Sequence, residues 1–305
     1  MKSDSELMNE LAHRTNYLHE VTTKESALIK MTLLSMFKDL QNLCDKHQLQ
    51  LVLGGGTCLG AVRHKGYIPW DDDLDTMLPR KDYDCLIQLL KEGALGDKYE
   101  FSTPDPKIES ANTFLKIYLR DSEYVDIFNI NTPFPKGLFI DVFPIDATPN
   151  NAFLRILKGV ISDGLEFCTI LTLYAKYQNK EVKEYMALDP QLWRRYKIKC
   201  FLGKILGIIP RRKWIWWFDR FARSNQENTY WTIPTGRKYY LGEVMPRKTF
   251  VPIINGEFEG MIVHLVADYD AYLKNLYGNY MTVPPIEKRE RHFIVKFKLL
   301  NEKNE

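Results

Sequence analysis

The stretch LQLVLGGGTCLGAVRHKGYIPWDDDLD, residues 49–75, decides the fold of this chain. Residues 49–53 are largely apolar and predict a short strand that ends at three consecutive glycines, residues 54–56. Thr57 is placed to cap a short helix that runs to His64. A strand, a glycine turn and a helix N-terminus therefore precede the acidic run at residues 71–75.

The acidic run carries the first chemical signal. Side chains two apart share a face of a strand, so a strand over residues 73–78 would align Asp71, Asp73 and Asp75 and turn Asp72 away. Like charges on one face raise one another's pKa unless a cation neutralises them. Mg²⁺ (or Mn²⁺), which prefers oxygen ligands, suits Asp73 and Asp75 at an open edge. A solvated acidic turn is the alternative, and the apolar residues in and around the run disfavour it.

A third carboxylate is expected from another strand. Residues 138–143 alternate so that Asp141 shares a face with Phe139 and Phe143, where an unpaired charge would be costly. Asp141 is therefore the candidate to complete the metal site or to hold an attacking hydroxyl. A strand-end cap or a salt bridge is the alternative role.

Glycines and basic side chains near the run predict a phosphate-binding region. A glycine turn at a helix N-terminus exposes backbone N–H groups to an anion, although ordinary tight turns use glycine too. Basic residues at the end of a short helix also complement its dipole, which is the alternative explanation for them. The candidate substrate-binding residues of this region are Gly55, Gly56, Thr57, Arg63, His64, Lys65 and, on a strand over 114–120, Lys116.

The composition is that of an ordinary globular protein. The chain has 305 residues, of which 45% are hydrophobic and 27% charged, and its 42 basic and 39 acidic residues nearly cancel. Binding to nucleic acid is therefore not expected. The five cysteines form no CxxC pair, and neither a signal peptide nor a membrane-spanning apolar run is recognised. A cytoplasmic location is expected.

The patterning divides the chain into three parts. Residues 1–150 are predicted to form a catalytic core with an N-terminal helix over 24–47 and a further helix over 79–92. Residues 151–230 are predicted to be an α-helical portion, and residues 231–305 a mixed segment, with a helix over 266–276, that completes the active site. Within the middle part, residues 204–217 combine apolar, basic and tryptophan residues, which indicates either peripheral contact with the inner face of the plasma membrane or a helix buried between domains.

The stretch over residues 54–75 resembles the signature of the LicD family, phosphocholine transferases of bacterial surface glycans that are related to fukutin-like proteins. The likeness spans about residues 25–295 and includes PRKDY at 79–83, FIDVFPID at 139–146, YGNYM at 277–281, the prolines at 284–285 and RERH at 289–292. One departure is Asn279, where aspartate is commoner in the family, and it puts an essential acid at that position in doubt.

The resemblance implies an α+β fold, a nucleotidyltransferase-like mixed sheet with flanking helices and an α-helical insertion. It also implies Mg²⁺-dependent transfer of a phosphorylated group from a CDP-linked donor, CDP-choline favoured, to a hydroxyl of lipopolysaccharide, teichoic acid, capsule or a lipid-linked precursor. The matching positions put Asp73 and Asp75 at the metal, Asp71 beside them and Asp141 as the third carboxylate.

Two features of this expectation stay open at the level of sequence. Arg289 and His292 are expected to contact the donor or the acceptor, with a surface or structural role as the alternative. The transferred group is phosphocholine or, alternatively, ribitol phosphate, glycerol phosphate or another alcohol phosphate. A non-catalytic protein that binds nucleotides or glycans is the second alternative.

Overall fold

The structure, a computed structural model, describes residues 4–12, 18–285, 289 and 292–299. Its helices are α1 (Asp4–Ala12), α2 (Thr23–Lys46), α3 (Gly55–His64), α4 (Arg80–Lys91), α5 (Ala152–Lys176), α6 (Lys180–Ala187), α7 (Pro190–Leu206), α8 (Arg211–Ala222), α9 (Tyr239–Gly242) and α10 (Tyr269–Tyr277). Its strands are β1 (Val52–Leu53), β2 (Asp75–Pro79), β3 (Tyr99–Ser102), β4 (Leu115–Leu119), β5 (Ser122–Asp126), β6 (Phe139–Thr148), β7 (Tyr230–Thr232), β8 (Met245–Pro246), β9 (Ile254–Phe258), β10 (Met261–Leu265) and β11 (Ile294–Leu299).

The strands build a mixed seven-stranded sheet with the order β1-β2-β6-β4-β3, to which β7 and β8 are added at the end of β6. Strands β2 and β6 run parallel, and their register pairs Asp75 with Asp141. The remaining pairs of this sheet are antiparallel. The predicted mixed sheet with flanking helices is confirmed, and its two central strands bring two of the predicted carboxylates to the same level.

The predicted helices at residues 24–47 and 79–92 correspond to α2 and α4. Helix α2 begins with a capping box, in which Thr22 accepts a hydrogen bond from the Glu25 N–H and the Glu25 carboxylate accepts one from the Thr22 N–H. Both helices contact β6, and the buried side chains of the core gather around the sheet. The amphipathic pattern therefore placed these helices correctly.

Several local predictions are wrong. The strand predicted over residues 49–53 is limited to β1, and the helix predicted over residues 266–276 corresponds to α10, which begins at Tyr269. The second strand begins at Asp75 and not at Asp73, because residues 71–74 lie before the point where β2 pairs with β6. Thr57 does not cap α3: the helix begins after Gly54, and the buried Thr57 hydroxyl accepts a hydrogen bond from the Asp75 N–H at 2.8 Å. Thr57 thus ties the helix to the start of β2.

A buried ion network joins the sheet to the helical region. Arg80, at the start of α4, lies 2.6 Å from Asp146 of β6 and 2.8 Å from Asp219 of α8. All three side chains are buried, so their charges need compensation from ionic partners; Asp219 has a second one in Arg223, at 2.8 Å. Burial opposes the charge on Arg80, but the two aspartates raise the pKa of the guanidinium above its ordinary value.

The middle of the chain is helical, as expected, and consists of α5 to α8. Helices α6 and α7 share a second, smaller apolar cluster with α1, whereas α5 packs against α7 and α8. Among the described residues no helix has both the length and the apolar character needed to cross a bilayer.

Candidate active site

A cavity of about 670 Å³ opens beside the glycine turn and the first residues of β2. Nine of the residues singled out from the sequence line it: Gly55, Gly56, Arg63, Asp71, Asp73, Asp75, Asp141, Arg289 and His292. They come from α3, the acidic run, β2, β6 and the C-terminal part of the chain. The fold therefore brings together residues that are more than 200 positions apart.

The predicted alternation of the acidic run is present, although most of the run lies outside the strand. Asp71, Asp73 and Asp75 line the cavity, whereas Leu74 is fully buried in the core. Asp72 does not line the cavity and instead contacts Tyr124 and His292. An extended backbone has the same two-residue side-chain period whether or not it pairs with a neighbour, so the alternation did not need the strand.

The cavity carboxylates repel one another. Burial and the charges of Asp73 and its neighbours raise the pKa of Asp71 and of Asp75 well above the ordinary value for aspartate. Burial also raises the pKa of Asp73 and Asp141, although Lys116 opposes the shift at Asp141. Ionisation of the clustered carboxylates is therefore costly, and a proton or a bound cation would relieve it.

The glycines allow the turn to approach these carboxylates. A Cβ on Gly55, whose φ is +43°, would lie 2.5 Å from Asp75 Oδ2. A Cβ on Gly56 would lie 2.9 Å from Asp71 Oδ2. The Gly55 N–H donates to the hydroxyl of Tyr272 at 3.0 Å. The turn thus packs closely against the acidic run, and one of its amides is already occupied.

Asp72 holds a histidine from the far end of the chain. Its carboxylate lies 2.8 Å from His292 Nδ1 and accepts a hydrogen bond from the Tyr124 hydroxyl at 2.7 Å. Burial disfavours the imidazolium, but Asp72 and Asp73 raise the pKa of His292 well above its ordinary value. Burial likewise opposes the charge on Asp72, yet His292 and Tyr124 lower its pKa. His292 Nε2 is 3.8 Å from Asp73 Oδ2.

The donor set fits a hard divalent cation in its chemistry. The cavity presents carboxylate oxygens in excess, and Asp141 Oδ1 is buried without a hydrogen bond, although Lys116 Nζ lies 3.1 Å away as an ion-pair partner. In the part of the chain that the structure describes, no group of three or more His, Cys, Asp or Glu side chains is already arranged as a metal cluster. Asp73, Asp75 and Asp141 are the residues that could hold such an ion.

Four of the predicted substrate-binding residues lie outside the cavity lining. Thr57 supports Asp75 from within the core, and Lys116 lies against Asp141 with its ammonium 3.3 Å from the centre of the Phe139 ring. His64 accepts a hydrogen bond from Arg63, and Lys65 is exposed at the end of α3. These residues support or flank the site in the structure.

The sequence predicted no role for the aromatic side chains that form one wall of the cavity. This wall consists of Trp70, Phe114, Phe143, Tyr239, Tyr272, Tyr277 and Tyr280. Arg237 and the buried carboxyl of Glu243 line it as well, and burial raises the pKa of Glu243 to about 7. Tyr239 has a φ of +59°, which is uncommon for a bulky residue and often marks a functional position. Aromatic residues are too frequent in this chain for their roles to be separated before the fold is known.

Residues 48–155, which contain the glycine turn and all four cavity aspartates, match the LicD/FKTN/FKRP nucleotidyltransferase domain. They identify this part of the chain as a LicD/FKTN/FKRP nucleotidyltransferase domain. The resemblance drawn from residues 54–75 is confirmed.

Relatives extend the likeness beyond this domain. The lipopolysaccharide cholinephosphotransferase LicD of Haemophilus influenzae is 26% identical over 296 residues, which cover 91% of this chain and 98% of the relative. Uncharacterized proteins of Rickettsia prowazekii and Rickettsia typhi are 40% and 39% identical over 62 residues, about a fifth of each chain. The chain thus contains a LicD-family nucleotidyltransferase domain, and its likeness to the Haemophilus protein includes the helical middle portion.

Proposed function

We propose that this LicD-family transferase is a metal-dependent phosphotransferase. It moves phosphocholine from CDP-choline to a hydroxyl of a cell-surface glycan, such as lipopolysaccharide or teichoic acid, or of a lipid-linked precursor. The observation that carries the proposal is the convergence of Asp71, Asp73, Asp75 and Asp141 on one cavity at the parallel pair β2 and β6.

In this proposal Asp73, Asp75 and Asp141 hold Mg²⁺ or Mn²⁺. When bound, the ion supplies positive charge to the diphosphate and to the phosphoryl group during transfer. The mutual repulsion of the cavity carboxylates supports this role, because each of them has a raised pKa that a cation would lower again.

The other residues of the cavity have roles that follow from their charge. Arg63 and Arg289 line the cavity and carry permanent positive charge, which suits them to the phosphates of the donor. His292, held by Asp72 and kept protonated by the neighbouring carboxylates, adds a further cation. Asp71 or Asp141 accepts the proton of the attacking hydroxyl, and CMP is the leaving group.

Choline is the preferred cargo because of the wall beside the carboxylates. On β6, Phe143 lies two residues beyond Asp141, and its ring centre is 4.5 Å from that of Phe114. The lining of the same cavity includes Tyr239 and Glu243. Aromatic faces and a buried carboxyl are what a quaternary ammonium group needs, and the Haemophilus relative is named for cholinephosphate transfer.

Release of CMP from CDP-choline in the presence of Mg²⁺ and a lipopolysaccharide or teichoic acid acceptor tests the reaction. Asp73→Asn is expected to slow it by roughly three orders of magnitude, because a ligand of the charge-neutralising ion is lost. Asp45→Asn, at an exposed carboxylate of α2, serves as the matched control and should retain the wild-type rate. Full metal-dependent activity in Asp73→Asn would refute the proposed metal site.

A panel of donors tests the cargo. Wild-type protein is expected to use CDP-choline with a lower KM than CDP-glycerol or CDP-ribitol. Glu243→Gln should raise the KM for CDP-choline and leave the other two donors unchanged, since only choline presents a cation to this carboxyl. A lower KM for CDP-ribitol or CDP-glycerol would reassign the cargo while keeping the reaction class.

A further inference from the structure

Helix α5 is apolar on its outer face and polar on its inner face. Its outer stripe consists of Phe153, Ile156, Leu157, Val160, Ile161 and Phe167, which are between 39% and 72% exposed. Consecutive members of this stripe are one, three or six residues apart, which keeps them on one side of a helix. The buried side carries Ser162, Glu166 and Thr169 instead. A helix that faces water normally has the reverse arrangement, so the outer face of α5 is suited to an apolar environment.

The neighbouring helix α7 extends this surface and adds positive charge. The two helices cross closely, since a Cβ on Gly203 would lie 2.0 Å from the Leu171 carbonyl oxygen. On α7 the exposed Phe201 and Ile205 alternate with the exposed Lys197 and Lys204. Every residue of α5, α7 and α8 is described, and none of their Asp or Glu side chains is exposed. The combined surface is therefore apolar and basic, which matches an anionic bilayer.

Helix α5 also adjoins a segment that lines the active-site cavity, and it does so through its inner side. Gly159 packs against Leu241, because a Cβ there would lie 2.2 Å from Leu241 Cδ2. Asp163 accepts a hydrogen bond from the Tyr240 N–H at 2.9 Å. Tyr239, the residue before Tyr240, is exposed and lines the cavity. Helix α5, whose opposite side carries the apolar stripe, is thus joined directly to a segment of the cavity wall.

The segment at residues 204–217 was one candidate for contact with a membrane, but its basic side chains are only partly exposed. The Arg211 guanidinium is buried, donates to the carbonyl oxygens of Ser110 and Ala111, and lies 3.7 Å from Glu109. Lys213 remains exposed. The exposed apolar area lies mainly on α5 and α7, so any contact with lipid is centred there.

We propose that the outer faces of α5 and α7 dock onto the surface of an anionic lipid bilayer and bring the cavity next to acceptors anchored in that bilayer. The proposed docking depends only on the exposed apolar and basic side chains of α5 and α7. Its purpose, delivery of a lipid-linked acceptor, rests on the proposed function.

Co-sedimentation with vesicles tests the docking. Wild-type protein is expected to bind vesicles that contain phosphatidylglycerol and to bind pure phosphatidylcholine more weakly. The triple variant Phe153→Ser/Ile156→Ser/Val160→Ser should lose about 100-fold in affinity, because three inserted apolar side chains are removed. The matched control is Met31→Ser/Ile108→Ser/Ile262→Ser, whose side chains are 70%, 72% and 71% exposed elsewhere on the molecule; it should bind like wild type.

A second variant tests how much positive charge contributes to vesicle binding. Lys197→Gln/Lys204→Gln should weaken binding to phosphatidylglycerol vesicles by about fivefold for each lysine and leave binding to phosphatidylcholine unchanged. Since these lysines are exposed, this variant keeps the test valid if the serine triple variant fails to fold, which circular dichroism would report.

Three outcomes would overturn the docking: no vesicle binding by wild type, an equal loss in the control triple variant, or a wild-type dimer that the α5 variant converts to a monomer without any lipid binding. Release of CMP from CDP-choline with a soluble glycan acceptor and without vesicles separates the two proposals. If wild type binds vesicles but transfers no group from any of the three CDP-linked donors, the proposed function fails and the docking stands. If the α5 variant keeps transfer to the soluble acceptor and loses vesicle binding, both stand.

Discussion

Replacing Gly55 with alanine tests whether the glycine turn sets the position of the Asp75 carboxylate. Gly55 has a φ of +43°, and a Cβ there would lie 2.5 Å from Asp75 Oδ2 and 3.4 Å from Asp75 Cγ. Non-bonded heavy atoms pack at about 3.5 to 4.0 Å. The carboxylate or the turn must therefore shift by roughly 1 Å to accept the new methyl group.

Two contributions make up the expected effect. The left-handed backbone conformation costs an alanine about 1 kcal/mol of folding free energy relative to glycine. The shift of a carboxylate that helps to hold the metal ion should slow transfer by about 100-fold, or about 2.7 kcal/mol in activation free energy. Only the second contribution depends on the proximity of Asp75.

Gly96→Ala is the matched control, because Gly96 has a φ of +81° and no atom within 4 Å of an added Cβ. Urea denaturation should show similar losses of stability in Gly55→Ala and Gly96→Ala. Initial rates of CMP release should fall only in Gly55→Ala. A wild-type rate in that variant, with the same loss of stability, would show that the turn does not control the carboxylate.

Two further predictions concern stability. Asp75→Asn should raise the free energy of unfolding by about 1 kcal/mol or more near pH 7 without divalent ions, because burial and Asp73 raise the pKa of the wild-type carboxyl and so penalise its charge in the folded state. The gain should shrink as the pH falls through that raised pKa, since the wild-type carboxyl then binds a proton; urea titrations at several pH values measure it, and a gain that is independent of pH would contradict the reasoning. Arg80→Met should lower the free energy of unfolding by about 3 to 5 kcal/mol, because Asp146 would remain buried without its paired cation and Asp219 would keep only Arg223; the exposed Lys81→Met is the control, and equal stabilities of the two variants would rule out a structural role for the network.

The prediction for Asp75 reflects a general property of this site. The cavity concentrates aspartates whose charges disfavour the folded state, and their repulsion is relieved by a proton or by a bound cation. A site that is poised to bind a cation is therefore expected to lower the stability of the metal-free protein.

Much of the site was visible in the sequence because it depends on local geometry. The division of the acidic run into Asp71, Asp73 and Asp75 on one side and Asp72 on the other follows from the two-residue period of an extended chain. The helices α2 and α4 follow from apolar spacing and from a proline at the start of the second. None of these inferences requires contacts between distant residues.

Contacts between distant parts of the chain were beyond the sequence patterns. His292 reaches Asp72 across 220 positions, and Tyr272 accepts a hydrogen bond from the Gly55 N–H across 217 positions. No periodicity links such residues, because they meet only after the sheet and α10 have packed. Arg211 lies in the segment at residues 204–217 that was a candidate for membrane contact, but its side chain is buried. Its charge is evident from the sequence, whereas its burial is not.

The sequence by itself determined the family, the strand, glycine turn and helix around the acidic run, and the identity of the carboxylates, since these are properties of residue types and their local spacing. Tertiary structure alone decided that parallel pairing of β2 and β6 places Asp75 opposite Asp141, which aromatic residues form the cavity wall, and that the apolar face of α5 points outward. Strand pairing and burial are set by packing among segments far apart in the chain, and a one-dimensional pattern does not record which segments meet.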